Sequence, residues 1–79
     1  QIEPILSYYE VGHYEKVFEL TDNILNNHNR AFSELYALRG EIYLKQVNKS
    51  AAISEYEKAI LYKETYVKYK ERLDEIKNL

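Results

Sequence analysis

Histidine is the residue type in this chain that metal sites and proton transfer use most often. His13 and His28 lie fifteen positions apart, in the polar stretches "VGH" and "NNHNR", and the chain contains no cysteine and no HExxH pair. A zinc site needs three or four ligands that the fold brings together. We therefore expect two exposed histidines in turns and no metal site.

Nucleophilic and phosphate-handling chemistry also lacks its usual signals. No serine stands in the G-x-S-x-G context of a nucleophile elbow, and with two glycines in all the chain has no glycine-rich phosphate loop. The net charge of −2 provides no basic stripe for nucleic acid. The sequence therefore predicts neither an enzyme nor a nucleic-acid-binding protein, and it predicts no cofactor.

The composition is that of one small globular domain over residues 1–79. The chain is 46% hydrophobic and 30% charged, a balance too apolar for a disordered tail. No apolar run approaches 18 residues, so we expect no membrane span. No secretory signal is visible at the start of the sequence. Without cysteines the compartment stays open, and we expect a cytoplasmic rather than a secreted protein. Because the chain lacks methionine, even at position 1, we expect it to be a piece of a longer protein or a processed product.

Apolar residues recur at spacings of three and four, the period of an amphipathic helix. The stripes contain Val17, Phe18, Leu20, Ile24 and Leu25; Leu35, Leu38 and Ile42; Ile53, Tyr56, Ala59 and Ile60; and Tyr66, Tyr69, Leu73 and Ile76. The sequence therefore predicts an all-α chain with helices at about 3–11, 14–27, 31–46, 49–62 and 65–78. Asn48 and Thr65 are the predicted N-caps. Short connections make neighbouring helices antiparallel.

An internal repeat is visible when the chain is shifted by 35 residues. The shift places Tyr8 on Tyr43, Val17 on Ala52, Phe18 on Ile53, Ile24 on Ala59 and Leu25 on Ile60. Residue identity is low, and the hydrophobic pattern and the loop positions define the repeat.

The second unit, "YALRGEIYLKQVNKSAAISEYEKAI", resembles a tetratricopeptide repeat (TPR), whose pattern is W-x2-L-G-x2-Y followed by A-x3-F. Gly40, Tyr43 and Ala52 match this pattern. Tyr36 stands where the tryptophan would be, Tyr56 stands where the phenylalanine would be, and Ala59 occupies another small site of the repeat. The chain departs from the pattern with Arg39 for leucine, Val47 for the turn glycine, Glu64 for proline and Ile5 for the glycine of the first unit. The resemblance implies antiparallel hairpins of a right-handed solenoid, with about two repeats and a C-terminal capping helix.

Gly40 has a specific role under this resemblance. Glycine in a helix interior costs about 1 kcal/mol relative to alanine, and the resemblance implies that Gly40 and Ala52 let two helices approach closely. Tyrosines then fill the space around the crossing. Those at apolar-stripe or hairpin-packing positions are Tyr8, Tyr14, Tyr36, Tyr43, Tyr56 and Tyr62.

The resemblance also implies a concave face, formed by the first helix of each hairpin, on which a peptide segment of a partner lies. The implied residues are Leu6, Tyr9, Glu10, Glu34, Ala37, Glu41, Leu44, Lys45, Lys68 and Arg72. Lys68 and Arg72 match two positions at which some members of the family hold a partner's C-terminal carboxylate. Tyr9 is the candidate anchor, because aromatic side chains are favoured at interfaces. Alternatively, the charged residues are ordinary solvated ones, and Leu6 and Leu44 pack against a neighbouring repeat.

Two functional classes therefore stay open. The first is a protein-protein interaction module that acts as an adaptor or scaffold and binds a partner peptide. The second is a structural segment of a longer TPR solenoid, or a self-association module with no ligand of its own. About two units are fewer than the three that a stable solenoid usually needs. We therefore expect self-association through the open edge near Leu6 and Tyr9, or marginal stability.

Overall fold

The computed structural model describes residues 2–79, with side chains from Pro4 onward. Over that part of the chain the fold is all-α, with five helices and no strand. They are α1 (Ile2–Glu10), α2 (Tyr14–Asn27), α3 (Ser33–Lys45), α4 (Lys49–Tyr62) and α5 (Val67–Lys77). The number of helices and the class of the fold confirm the sequence prediction.

The chain divides into two compact units. The first ends at Arg30 and is the hairpin of α1 and α2. The second spans Ala31–Leu79, where α4 packs against both α3 and α5. Adjacent helices within each unit thus pack in sequence order, as in helical repeats. Over the described residues, no helix is long and apolar enough to cross a membrane.

The connection after α1 is a short left-handed cap. Gly12 adopts a φ of 82°, a conformation that glycine reaches without steric cost. Its N–H donates to the carbonyl of Tyr9 at 3.1 Å, and the N–H of His13 donates to the carbonyl of Tyr8 at 2.9 Å. These two bonds form a Schellman motif, which satisfies carbonyls that the helix end would otherwise leave without donors.

The connection after α3 has the same hydrogen bonds, 35 residues later. The N–H of Val47 donates to Leu44 at 3.0 Å, and the N–H of Asn48 donates to Tyr43 at 2.8 Å. Val47 takes the left-handed conformation with a φ of 58°, although a β-branched residue is strained there. Asn48 also caps α4, since its side-chain oxygen accepts from the N–H of Ala51 at 3.3 Å. The predicted N-cap at Asn48 is confirmed, and the backbone repeats with the period of the hydrophobic pattern.

Gly40 lies at the contact of α3 with α4. A Cβ atom on Gly40 would lie 2.7 Å from Cδ2 of Tyr56 and 3.4 Å from the carbonyl oxygen of Ala52. The ring of Tyr56 thus occupies the space that a side chain at Gly40 would need. The core of the second unit also includes Leu35, Ile42, Ala52, Ala59, Leu73 and Ile76.

At the positions equivalent to Gly40 and Tyr56, the first unit has its larger residue on the other helix of the hairpin. Thirty-five residues before Gly40 stands Ile5, and thirty-five before Tyr56 stands Thr21. Both are buried, with exposed fractions of 1% and 0%. At these equivalent positions, the larger residue stands on the first helix in the first unit and on the second helix in the second unit.

Three details differ from the sequence prediction. The predicted N-cap at Thr65 is wrong, because Thr65 lies in a turn closed by a 3.1 Å bond from Tyr66 N–H to the Lys63 carbonyl. Tyr66 is the N-cap of α5 and makes no side-chain capping bond. In the predicted stripes, Leu38 is half-buried and Tyr66 is 39% exposed, so neither is a core residue. Tyr62 is 37% exposed but stacks on Tyr36, as expected of a hairpin-packing residue.

Candidate functional site

A bidentate ion pair joins α3 to α5 in the second unit. Nε of Arg72 donates to one carboxylate oxygen of Glu41 at 2.7 Å, and a terminal nitrogen donates to the other at 2.9 Å. A further 3.0 Å bond links Arg72 to Glu75 on its own helix. The planar guanidinium matches the carboxylate in this side-on geometry, which fixes orientation as well as distance.

The carboxylate of Glu41 has a second partner in the core. The hydroxyl of Tyr56 donates to the same oxygen of Glu41 that accepts from Nε of Arg72. Burial works to raise the pKa of Glu41, but the bonds from Arg72 and Tyr56 outweigh it and hold this pKa below its ordinary value. Burial and the same contact with Glu41 raise the pKa of Tyr56. At neutral pH this is therefore an ionised pair with a neutral phenol donor.

Two contacts along α3 and α5 show how these helices run. Burial raises the pKa of Tyr69, against the effect of the nearby Ser33 side chain at the start of α3, which lowers it. Further along both helices, Glu41 meets Arg72. Because later residues of α3 meet later residues of α5, the two helices run in the same general direction. They form one two-helix face across the second unit.

The predicted site residues of the second unit lie in different environments. The structure brings Glu41 and Arg72 into direct contact, with side chains 27% and 38% exposed. The others of the second unit are half-buried Ala37 and Leu44, and exposed Glu34, Lys45 and Lys68. The positive charge of Lys45 also favours the ionised form of Glu41 and so lowers its pKa.

The predicted site residues of the first unit all lie on α1. Leu6 is 43% exposed, Glu10 is exposed and Tyr9 is half-buried. The ring of Tyr9 lies 6.1 Å from that of Tyr14 on α2, at an angle of 46°. Tyr9 therefore packs within its own hairpin while keeping part of its surface in solvent.

A nearly buried ion pair is a feature that sequence reasoning did not predict. Nε of Arg39 lies 3.4 Å from a carboxylate oxygen of Glu55, and the two side chains are only 13% and 8% exposed. Arg39 stands where the TPR pattern has leucine. The signal in the sequence was a charge at a core position, which requires an opposite charge nearby. Glu55 on α4 provides that charge.

The histidines lie in the connections between helices and are exposed, as the sequence predicts. The ring of His13 stacks on Tyr8 with centroids 6.0 Å apart. An open polar depression of about 360 Å³ lies beside it, lined by residues 12–16 and Glu19. Over the residues with described side chains, no group of His, Cys, Asp or Glu is arranged to hold a metal ion.

Comparisons with known proteins add no relative. No protein-family model, curated protein or solved structure gives a significant match to this chain.

Proposed function

We propose that this chain is a protein-interaction module of the TPR type, which binds a peptide segment of a partner on the face of α3 and α5. The observation that supports the proposal is the Glu41–Arg72 pair, which joins two helices of like direction side by side. Such a face exposes side chains of two helices along its length and suits an extended or helical peptide.

The chemistry of this face favours a partner with an apolar anchor and a few charges. Ala37 is small and half-buried, which leaves room for a side chain of the partner, and Leu44 adds apolar surface. Glu41 and Arg72 neutralise each other, so they present little net charge. Lys68 and Glu34 are exposed and provide charges of both signs at the rim. Charges at a rim steer association more than they hold a complex.

Peptide ligands selected from a display library on the intact chain would test the proposal. Ala37→Arg fills the centre of the face, and we expect it to weaken the selected peptides more than tenfold. Exposed Glu57, on α4, is the control position, and Glu57→Arg should change affinity less than threefold. Both variants should keep the parent's helical circular dichroism. Selection of the same peptides by the Ala37→Arg chain would contradict a site on this face.

Tyr9 stays a predicted anchor on the first unit. Loss of a central aromatic anchor commonly costs 2 kcal/mol or more, about thirtyfold in affinity. For a peptide that contacts α1 of the first unit, we expect Tyr9→Ala to weaken binding more than Glu34→Ala does, measured by isothermal titration. Equal affinities of the two variants, or a Tyr9→Ala chain that does not fold, would leave Tyr9 with a packing role only.

A further inference from the structure

The turn between α4 and α5 carries a cluster of exposed apolar side chains. We call Leu61, Tyr62, Tyr66 and Val67 the turn patch; their exposed fractions are 61%, 37%, 39% and 59%. Single exposed apolar residues need no explanation, but a contiguous group often marks an interaction site. Val47, 92% exposed, and Leu79 lie outside this stretch.

The rings of the turn patch are already held in place. Tyr62 stacks on Tyr36 with centroids 5.7 Å apart, and Tyr66 meets the ring of Tyr69 edge-on at 4.6 Å. A partner would therefore bind rings that have lost much of their rotational freedom, which lowers the entropic cost of association.

Two lysines lie over aromatic rings at and beside the turn patch. Residues 58–70 contain four lysines and one glutamate, between flanking Glu57 and Glu71. Nζ of Lys63 lies 4.9 Å from the ring centroid of Tyr66, and Nζ of Lys58 lies 5.9 Å from that of Tyr36. Cationic groups over aromatic rings give this surface both apolar and positive character.

The first unit offers a surface of the opposite charge. We call Leu6, Ser7, Glu10 and Val11 the α1 face, since helical spacing places them on one side and all four are exposed. Residues 1–30 contain five acidic and two basic residues, a net charge of −3. Residues 31–79 contain eight acidic and nine basic residues, a net charge of +1. On the α1 face itself, Glu10 accompanies apolar Leu6 and Val11.

From this complementarity we propose that copies of the chain associate head to tail. The α1 face of one copy binds the turn patch of the next, with apolar side chains meeting in the middle and Glu10 facing the lysines around the patch. Because the two surfaces differ, this contact is heterologous, and each copy keeps one surface free for a further copy. The four residues of the turn patch are distinct from those of the peptide-binding face proposed on α3 and α5, and Lys68 borders both.

Association of this kind predicts a mass that grows with concentration. Each of the two surfaces consists of only four residues, so the contact is small, and interfaces of fewer than about 1,200 Å² are typical of weak complexes. We therefore expect the average mass from sedimentation equilibrium to exceed that of a monomer only towards about 1 mM, and to fall as salt is added. A chain that stays monomeric over this range would overturn the proposal.

Two complementary variants separate head-to-tail from symmetric association. Leu6→Glu with Val11→Glu blocks the α1 face, and Leu61→Glu with Val67→Glu blocks the turn patch. Each variant alone should be monomeric, whereas their mixture should form a 1:1 dimer through the one intact surface of each. A mixture that stays monomeric while the parent associates would overturn the head-to-tail arrangement. Circular dichroism confirms that each variant is folded.

Two further variants test the surface and the charges. Val47→Glu places a glutamate on a turn outside both surfaces, where the side chain is even more exposed, and it should associate like the parent. Lys63→Glu should weaken association about tenfold, and a partner copy with Glu10→Lys should recover most of the loss. Loss of association in Val47→Glu would show a general effect of charge and contradict a site at the turn patch.

Discussion

Replacing Gly40 by alanine sets two effects of opposite sign against each other. Alanine is favoured over glycine in a helix interior by about 1 kcal/mol. Against this, the new Cβ would lie 2.7 Å from Cδ2 and 2.8 Å from Cε2 of the Tyr56 ring. Carbon atoms in good contact are about 3.5–4.0 Å apart, so the ring or the helix must move by roughly 1 Å.

The Tyr56 ring has little freedom to move. The residue is 4% exposed, its hydroxyl donates to Glu41, and its ring meets that of Tyr69 at 6.2 Å. Overpacking a filled core costs about 1–3 kcal/mol. After the helix-propensity gain we expect Gly40→Ala to lower the free energy of unfolding by about 1 kcal/mol, or the Tm by about 4–8 °C. Gly40→Leu should cost more.

Urea and thermal unfolding, followed by circular dichroism, measure this effect directly. In a Tyr56→Ala background the obstacle is gone, and Gly40→Ala should then be stabilising by up to about 1 kcal/mol. Gly12→Ala is the matched control, because its Cβ meets nothing within 4 Å but its φ of 82° is unfavourable. Gly12→Asn should recover part of that loss, since asparagine tolerates this conformation. A Gly40→Ala chain as stable as the parent would show that the ring yields, and would refute the steric argument.

Two further predictions concern the ion pairs. Folding lowers the pKa of Glu41 below its ordinary value of 4.5, so the ionised carboxylate stabilises the fold above about pH 4.5. This stability is lost as the pH falls through the lower pKa of the folded state. Glu41→Gln should therefore flatten the acid limb of a stability-pH curve and cost about 1 kcal/mol at pH 7. Glu57→Gln, at an exposed position, should change the stability at pH 7 by less than about 0.5 kcal/mol. Arg39→Leu should lower the free energy of unfolding by about 3 kcal/mol, because it leaves Glu55 buried without this cation. In urea unfolding, the double variant Arg39→Leu with Glu55→Leu should be more stable than either single variant. A double variant less stable than both single variants would contradict this account.

Local signals in the sequence were sufficient to predict the helices and their approximate bounds. The period of three and four, the short polar connections and the Asn48 cap all depend on residues close together in the chain, so the predicted bounds agree to within about two residues at each end. Thr65 failed as a cap for a local reason as well. The turn from Lys63 to Tyr66 takes up Thr65, and α5 begins only at Val67.

The candidate site depends on contacts that periodicity does not encode. The pattern places Glu41 on one side of α3 and Arg72 on one side of α5, but not which two sides meet across 31 residues. The hydroxyl of Tyr56 is a similar case. Its ring was expected in the core, while its bond to Glu41 depends on how α3 and α4 pack. The TPR resemblance predicted that both charged residues lie on one face; it did not predict that they bind each other.

The two hairpins carry the larger residue on opposite helices at equivalent positions, and this has a consequence for which helices pair during folding. If α1 packed on α4 in the same register, Ile5 would meet Tyr56, and two large side chains would compete for one space. If α3 packed on α2, Gly40 would face Thr21 and leave a cavity. We therefore expect the non-native helix pairs α1–α4 and α2–α3 to be less stable than the native pairs, although the two hairpins have the same turn hydrogen bonds and the same hydrophobic period. In a chain of similar helices, this mismatch lets each helix distinguish its own neighbour from the equivalent helix of the other repeat, or of another molecule, and so disfavours exchange of helices between copies.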